Sequence, residues 1–194
     1  LPWGRTIPGA TLLAPRDQVD LEFLMRGWLA REIPAAIRYP RGAVPPSLYR
    51  EEGAPVAPWG IPEVLRQGEE TCLVGAGSTT RLMMDAASLC RESRRGDPTV
   101  VDARFLKPLH EETFLALMRE HRQLVVAEEA YLSGGVGEAL AALAHREDLP
   151  CRVRTLGVSD RFVPQATRAE QWQEEGLTPE RVVSLLHAWT TTPA

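Results

Sequence analysis

Ala35-Ala36-Ile37-Arg38-Tyr39-Pro40-Arg41-Gly42 runs from apolar to basic and stops on a turn. Its apolar opening is the pattern of a strand buried in a sheet. Pro40 and Gly42 then punctuate the chain as turn residues do. In an open α/β sheet, ligands sit outside the carboxyl ends of the strands. An arginine placed there offers a planar fork that donates two parallel hydrogen bonds to a phosphate or carboxylate. Arg38 and Arg41 straddle a rigid Tyr-Pro pair, so only one of them is expected to share the strand-end crevice. A solvated loop with two surface arginines fits the same residues.

Upstream, Thr11-Leu12-Leu13-Ala14 reads as a strand stopped by Pro15. A helix follows from about Asp17, with Asp17 and Asp20 near its positive amino end. Leu21, Leu24, Met25, Trp28 and Leu29 recur at i, i+3, i+4, i+7 and i+8, which predicts one buried helix face. With the strand at Ala35 this makes a β-α-β unit, and a single crossover helix favours parallel pairing. About forty residues bury too little apolar surface to stand as a domain. The upstream part of that sheet is therefore expected to lie outside this chain, which begins at Leu1.

Downstream of Gly42, Pro45, Pro46, Pro55 and Pro58 lie in a stretch with no helical or strand period, read as a stiffened linker and domain boundary. Beyond it strands and helices alternate. Strands are predicted at Thr71–Val74, Thr99–Ala103, Leu124–Ala127 and Val153–Leu156. The helices between them carry Met83, Ala86, Ala87 and Cys90; Phe114, Leu117 and Met118; and Val136, Ala139, Leu140, Leu143 and Ala144. Thr167 with Glu170 has the capping-box spacing. Thr178-Pro179 opens a last helix carrying Val182, Leu185, Leu186 and Trp189. The fold class is α/β, with a mostly parallel sheet covered by helices on both faces. The organisation is residues 1–48 as the end of one domain, 49–58 as linker and 59–194 as a second domain.

The 194 residues are 44% hydrophobic and 25% charged, with formal net charge −4 and no basic run. Neither nucleic acid nor anionic membrane is an expected partner. No apolar stretch approaches the ~20 residues that span a bilayer. Cys72, Cys90 and Cys151 are odd in number and widely spaced, which reads as reduced thiols and a cytoplasmic setting.

Few residues group as chemistry would require. Gly75-Ala76-Gly77-Ser78-Thr79-Thr80 follows a strand and opens a helix, but lacks the third glycine of a dinucleotide fingerprint and the lysine of a P-loop. A helix N-cap at Ser78 or Thr79 explains it without a ligand. Ser133-Gly134-Gly135-Val136-Gly137 offers helix amides to an anion, or is a tight turn. Glu128 and Glu129, if still in the strand, point to opposite faces and cannot converge on one atom; a structural or interface role is preferred. His110, His121, His145 and His187 are isolated in sequence, with no metal-ligand spacing. Arg104-Phe105-Leu106-Lys107-Pro108 repeats the apolar-to-basic character of the opening stretch, and would face an anion, an acidic neighbour or water. On the residues alone the reading is an α/β protein with a phosphate-binding arginine.

Six stretches, in order, extend this. They are Arg5-Thr6-Ile7-Pro8, Ala14-Pro15-Arg16-Asp17, Ala36 to Gly42, Asp102 to Leu109, Val126-Ala127-Glu128-Glu129 with Gly134 to Gly137, and Asp160-Arg161-Phe162-Val163-Pro164. Together they make the chain resemble the carboxyl-terminal part of the 1-deoxy-D-xylulose-5-phosphate synthases, thiamine-diphosphate enzymes of the transketolase superfamily. The resemblance implies that residues 1–48 are the end of a pyrimidine-binding domain, a truncated β-α-β remnant. It implies a transketolase-type carboxyl-terminal domain from residue 59. In that family the second arginine of Arg-Tyr-Pro-Arg-Gly contacts the phosphate of glyceraldehyde 3-phosphate, a role that carries to Arg41. The family's Gly-Asp-Gly…Asn magnesium motif, activating glutamate and proton-transfer histidines lie in earlier sequence; the only Gly-Asp pair here, Gly96-Asp97, is followed by Pro98.

The resemblance thus implies thiamine diphosphate and magnesium in the full-length enzyme, with no catalytic, cofactor-binding or metal residue in this chain, which alone would be inactive. It also implies a homodimer, contact with the enzyme's remaining domains, and roles in isoprenoid, thiamine and pyridoxal biosynthesis. Ala43 stands where the family often has Asn, and Trp59-Gly60-Ile61-Pro62 replaces the usual approach to the second domain. Other readings are a different superfamily member, such as a transketolase or a 2-oxoacid dehydrogenase beta subunit, or a non-catalytic subunit-association module.

Overall fold

The computed structural model describes residues 2–43, 45, 49 and 55–190. After a single helical turn, α1 (Pro2–Arg5), come β1 (Thr11–Leu13), α2 (Gln18–Leu29) and β2 (Ala35–Ile37). Then follow β3 (Glu63–Arg66), β4 (Thr71–Gly75), α3 (Thr79–Glu92), β5 (Thr99–Asp102), β6 (Phe105–Lys107) and α4 (Glu111–Glu120). The chain continues through β7 (Gln123–Tyr131), α5 (Val136–Arg146), β8 (Arg152–Val158), α6 (Arg168–Glu174) and α7 (Pro179–Thr190).

Two sheets form. The larger has the order β3-β5-β4-β7-β8, parallel throughout except for β3, which runs antiparallel at one edge. Its central strands are apolar on both faces, and alternation sends successive side chains to opposite layers. Cys72, Val74, Val101, Leu124 and Val126 pack with Phe114, Leu117 and Met118 of α4 and Val136, Leu140 and Leu143 of α5. Leu73, Val100 and Val125 pack the other way, with Leu82, Met83, Ala86 and Ala87 of α3 and Val182, Leu185 and Leu186 of α7. Fully burying one such Leu or Phe is worth about 1.5–3 kcal/mol, so the two layers supply most of the driving force. Cys72, Cys90 and Cys151 are buried free thiols within them. The capping box at Thr167 and Glu170 forms.

The smaller sheet has the order β2-β1-β6. β1 and β2 pair in parallel across α2, and β6 joins β1 antiparallel. The amino-terminal β-α-β unit therefore shares its sheet with a strand that follows β5.

Several expectations are corrected. β2 is an edge strand, and none of its residues is fully buried. A short apolar run is ambiguous in this respect, since only the neighbours decide burial. On α2 Leu24 is fully buried and Trp28 packs beside it, while Met25 is 43% and Leu29 74% exposed, so only one side of the predicted face is covered. β3 escaped the reading because its residues, Glu63-Val64-Leu65-Arg66, begin and end on charge beside Pro62. β7 runs four residues beyond Ala127, carrying the Glu128-Glu129 pair inside the strand. Residues 50–54 of the expected linker, and the Trp189 side chain, lie outside the described residues. No helix among the described residues is long and apolar enough to cross a membrane.

Between the two sheets lies a buried cluster of charges. Arg16, just after β1, donates Nη1 to Asp102 and Glu63, each at 2.8 Å. Arg104 donates Nε to Asp20 at 2.8 Å and Nη1 to the carbonyls of Ala57 and Ile61 at 3.0 and 3.1 Å. So Arg104 faces an acidic neighbour and not a ligand. Asp17 caps α2 by accepting from the Asp20 amide. Four acids (Asp17, Asp20, Glu63, Asp102) thus stand against two arginines, and the excess negative charge favours taking up a proton. Burial and then repulsion from Asp20 lift Asp102 to about 7, against the pull of Arg16.

A carboxyl raised on folding stabilises the fold at low pH. Its contribution is complete below the unfolded-state value near 4 and is lost as pH rises through about 7. The slope in that window is at most about 1.4 kcal/mol per pH unit for one proton. Urea unfolding at pH 5 and pH 8 should therefore show a loss of stability with rising pH that Asp102→Asn reduces. An identical pH dependence in the variant would rule Asp102 out as its source.

Candidate functional site

The larger sheet reverses its strand order beside β4: β5 lies to one side and β7 to the other. The crevice outside the carboxyl ends of such strands is where open α/β sheets bind ligands. From β4 the chain passes through Gly75-Ala76-Gly77-Ser78 into α3. Gly77 has φ +62°, and a Cβ there would stand 3.0–3.1 Å from Ala14 and the Pro15 carbonyl. Glycine thus lets the start of α3 lie against the end of β1. From β7 comes Glu129. The carboxyl ends of β1 and β2 converge on the same place from the smaller sheet.

A crevice of about 410 Å³ results, walled by Pro15, Arg16, Leu21, Tyr39, Pro40, Ala43, Ser78, Arg81 and Arg168, among others. At its back, Arg38 reaches across from the end of β2. Its Nη2 meets Glu129 Oε2 at 3.0 Å, and its Nη1 donates to Ser78 Oγ at 3.1 Å. Ser78 Oγ in turn donates to Glu129 Oε2 at 2.7 Å. Arg168 grips the same carboxylate with both prongs, at 2.9 and 2.8 Å, while its guanidinium lies 4.3 Å over the Trp172 ring. Burial opposes ionisation of Glu129, but the Arg168 hydrogen bonds and the Arg38 charge outweigh it and bring the carboxyl down to about 2. Two guanidiniums thus share this one carboxylate.

Of the two arginines in the opening stretch, Arg38 is the one drawn inward. Arg41 is exposed and makes no hydrogen bond or ion pair with any described residue, while its neighbours Pro40 and Ala43 form the crevice wall. Its backbone thus lies between two residues of the crevice wall.

Glu128 and Glu129 diverge, as adjacent strand residues must. Glu128 is buried on the opposite face, where its two oxygens accept from the amides of Val136 and Gly137, each at 3.0 Å. The glycine turn before α5 is an anion site filled by the protein's own carboxylate. Burial raises Glu128, and the two amides and Arg5 only partly offset this.

At the other glycine turn, Ser78 occupies the cap position without a side-chain capping bond, because its hydroxyl is committed to Glu129. Thr79 instead accepts from the Ala76 amide and donates to the Ala127 carbonyl. Among the described residues no histidine lines the crevice. His121 is buried between Thr99 and the Leu117 carbonyl, and His110 caps α4. Among the described residues no group of three His, Cys, Asp or Glu could hold a metal ion. Sequence reasoning missed Ser78 and Arg168 as partners of Glu129, since they lie 51 and 39 residues away. No local signal marks them.

Comparison with known proteins follows the same outline. A family model described as transketolase, C-terminal domain, matches residues 60–182. The chain is 35% identical over 184 residues to the 1-deoxy-D-xylulose-5-phosphate synthase of Symbiobacterium thermophilum, covering 95% of this chain and 28% of that one. It is 36% identical to the synthase of Heliobacterium modesticaldum, covering 92% and 27%. The chain thus spans just over a quarter of the length of the curated relatives it matches. Among solved structures, a split gene transketolase described as an inactive beta4 tetramer superposes with TM-score 0.86 at 26% identity, covering 97% of this chain and 60% of that one. A transketolase of Campylobacter jejuni, at TM-score 0.70 and 16% identity, shares the fold.

Proposed function

We propose, since the chain belongs to the transketolase family by its C-terminal domain, that it serves as the carboxyl-terminal portion of a 1-deoxy-D-xylulose-5-phosphate synthase. The reaction joins two carbons of pyruvate to glyceraldehyde 3-phosphate, releasing carbon dioxide and 1-deoxy-D-xylulose 5-phosphate. Its part in isoprenoid, thiamine and pyridoxal biosynthesis follows from the same reading. The observation that carries it is Arg41, an exposed arginine with no partner among the described residues, lying in sequence between the crevice-wall residues Pro40 and Ala43. There it donates a bidentate pair of hydrogen bonds to the aldehyde's phosphate.

Thiamine diphosphate and magnesium supply the carbanion chemistry of such an enzyme. The described residues do not fit them. They include no metal-ligating group of three, and the glycine-turn amides of Val136 and Gly137 are already taken by Glu128. No step through the cofactor is derived from this chain; its share is binding and orienting the acceptor.

The remaining domains of the enzyme would pack at the open edge of β2. An apolar recess of about 570 Å³ lies there, walled by Trp3, Ile7, Leu12, Ala36, Ile37 and Tyr39. A homodimer is part of the same proposal, and three buried free thiols favour the cytoplasm.

The test is Arg41→Ala in an enzyme comprising this chain and its upstream domains. Losing a hydrogen bond to a charged group costs about 1.5–3 kcal/mol, so KM for glyceraldehyde 3-phosphate should rise roughly 10- to 100-fold. KM for pyruvate should stay within about twofold. An unchanged KM for the phosphorylated aldehyde would remove Arg41 from the site. A transketolase proper would instead accept ketose donors in the same assay.

A further inference from the structure

The switch-point crevice of the larger sheet holds a guanidinium of the protein's own. Arg38 enters it from the smaller sheet and is fixed there by Glu129 and Ser78. We infer that Glu129 is a positioning residue for Arg41: by holding Arg38 at the carboxyl end of β4, it sets where the phosphate-binding guanidinium stands beside the crevice. This rests on the reading of Arg41 given above.

The chain between the two arginines is too short and stiff to decouple them. Only Tyr39 and Pro40 intervene, and proline fixes its own φ and restricts the residue before it. β2 itself is a weak foundation. It has only three residues, and its last ladder bond is Arg38 N–H to the Leu13 carbonyl at 2.8 Å. Past Arg41 the chain turns away at Gly42, with φ +145°. Side-chain anchorage must therefore orient the segment, and Arg38 supplies it.

Glu129 in turn is immobilised from three directions. β7 carries its backbone, Arg168 engages both its oxygens, and Ser78 donates to Oε2, the oxygen that Arg38 meets. The carboxylate ties the ends of β2 and β7 to the starts of α3 and α6, without touching substrate itself.

The experiment is a kinetic double-mutant cycle in the enzyme that joins this chain to its upstream domains. Glu129→Gln keeps the shape and removes the charge. It should raise KM for glyceraldehyde 3-phosphate about 5- to 20-fold, since the amide holds Arg38 less firmly than the carboxylate does. With unphosphorylated glyceraldehyde as acceptor, and for pyruvate, it should change KM and kcat less than about twofold.

Arg38→Lys keeps the charge without the fork, and should give a smaller rise in the same constant. Glu129→Gln added to Arg41→Ala should cost nothing further, because Glu129 acts through Arg41. Additive losses, or a fall in kcat that is equal for phosphorylated and unphosphorylated acceptors, would show a merely structural role and overturn the inference. A rise with Arg41→Ala but none with Glu129→Gln also overturns it, leaving the phosphate reading intact. No effect of Arg41→Ala takes both down.

Discussion

Arg104→Met should lower the free energy of unfolding by about 3–5 kcal/mol, the usual cost of breaking a buried charge pair from one side. Set against a total of about 5–15 kcal/mol for a native protein, that is a fifth of the margin or more. Three features make Arg104 so sensitive. It is fully buried, and its Nε pairs with an equally buried Asp20 at 2.8 Å. Its Nη1 satisfies the carbonyls of Ala57 and Ile61, which tie down the chain leading into β3. Its backbone also sits at φ +52°, a conformation that non-glycine residues keep only where the surroundings over-determine it. Methionine fills the volume but leaves Asp20 without its nearest cation. Burial already lifts the Asp20 carboxyl, with Arg104 the largest opposing influence. Asp20→Asn added to Arg104→Met should therefore recover part of the loss. Urea unfolding followed by circular dichroism measures each step; a single-variant loss below about 1 kcal/mol would mean that water replaces the guanidinium at little cost.

The same residue shows what could be read from the sequence. The parallel core was legible because Cys72 to Val74, Val100-Val101 and Leu124 to Ala127 are apolar at every position, and a helical period lies between them. Local chemistry also exposed the cap at Thr167 and the divergence of Glu128 from Glu129. Arg104 was visible only as a basic residue after a strand, since Asp20 lies 84 residues upstream. Its left-handed backbone ends β5 and lets Phe105 begin a strand of the other sheet, a break that propensity does not announce. Within this chain β2 has one strand neighbour, and three apolar residues do not tell how many will flank them. At the candidate site, the arginine-bearing turn was singled out by its chemistry alone. The assignment of Arg38 to the inside and Arg41 to the exposed side needed Ser78 and Glu129, which only the fold brings near.

Gly135→Ala should be nearly as damaging as the loss of Arg104, for a reason of space. A Cβ at residue 135 would lie 2.2 Å from Glu128 Oε1 and 2.6 Å from its Cδ. The buried carboxylate would have to leave the amides of Val136 and Gly137, orphaning two donors at the start of α5. Overpacking costs about 1–3 kcal/mol and each unsatisfied buried donor a similar amount, so a loss of about 3 kcal/mol or more is expected for the variant. Glu128→Ala should cost a comparable amount by vacating the same amides. Once Glu128 is gone, adding Gly135→Ala should cost far less than it does alone, because the clash has lost its partner. Full additivity would show that the glycine is there for the backbone turn and not for the carboxylate. The vacated amides offer a second readout. A helix amino terminus with free N–H groups attracts anions, so sulfate should raise the Tm of Glu128→Ala more than that of the unaltered protein. Equal shifts would mean that the carboxylate does not hold the place of an anion at this turn.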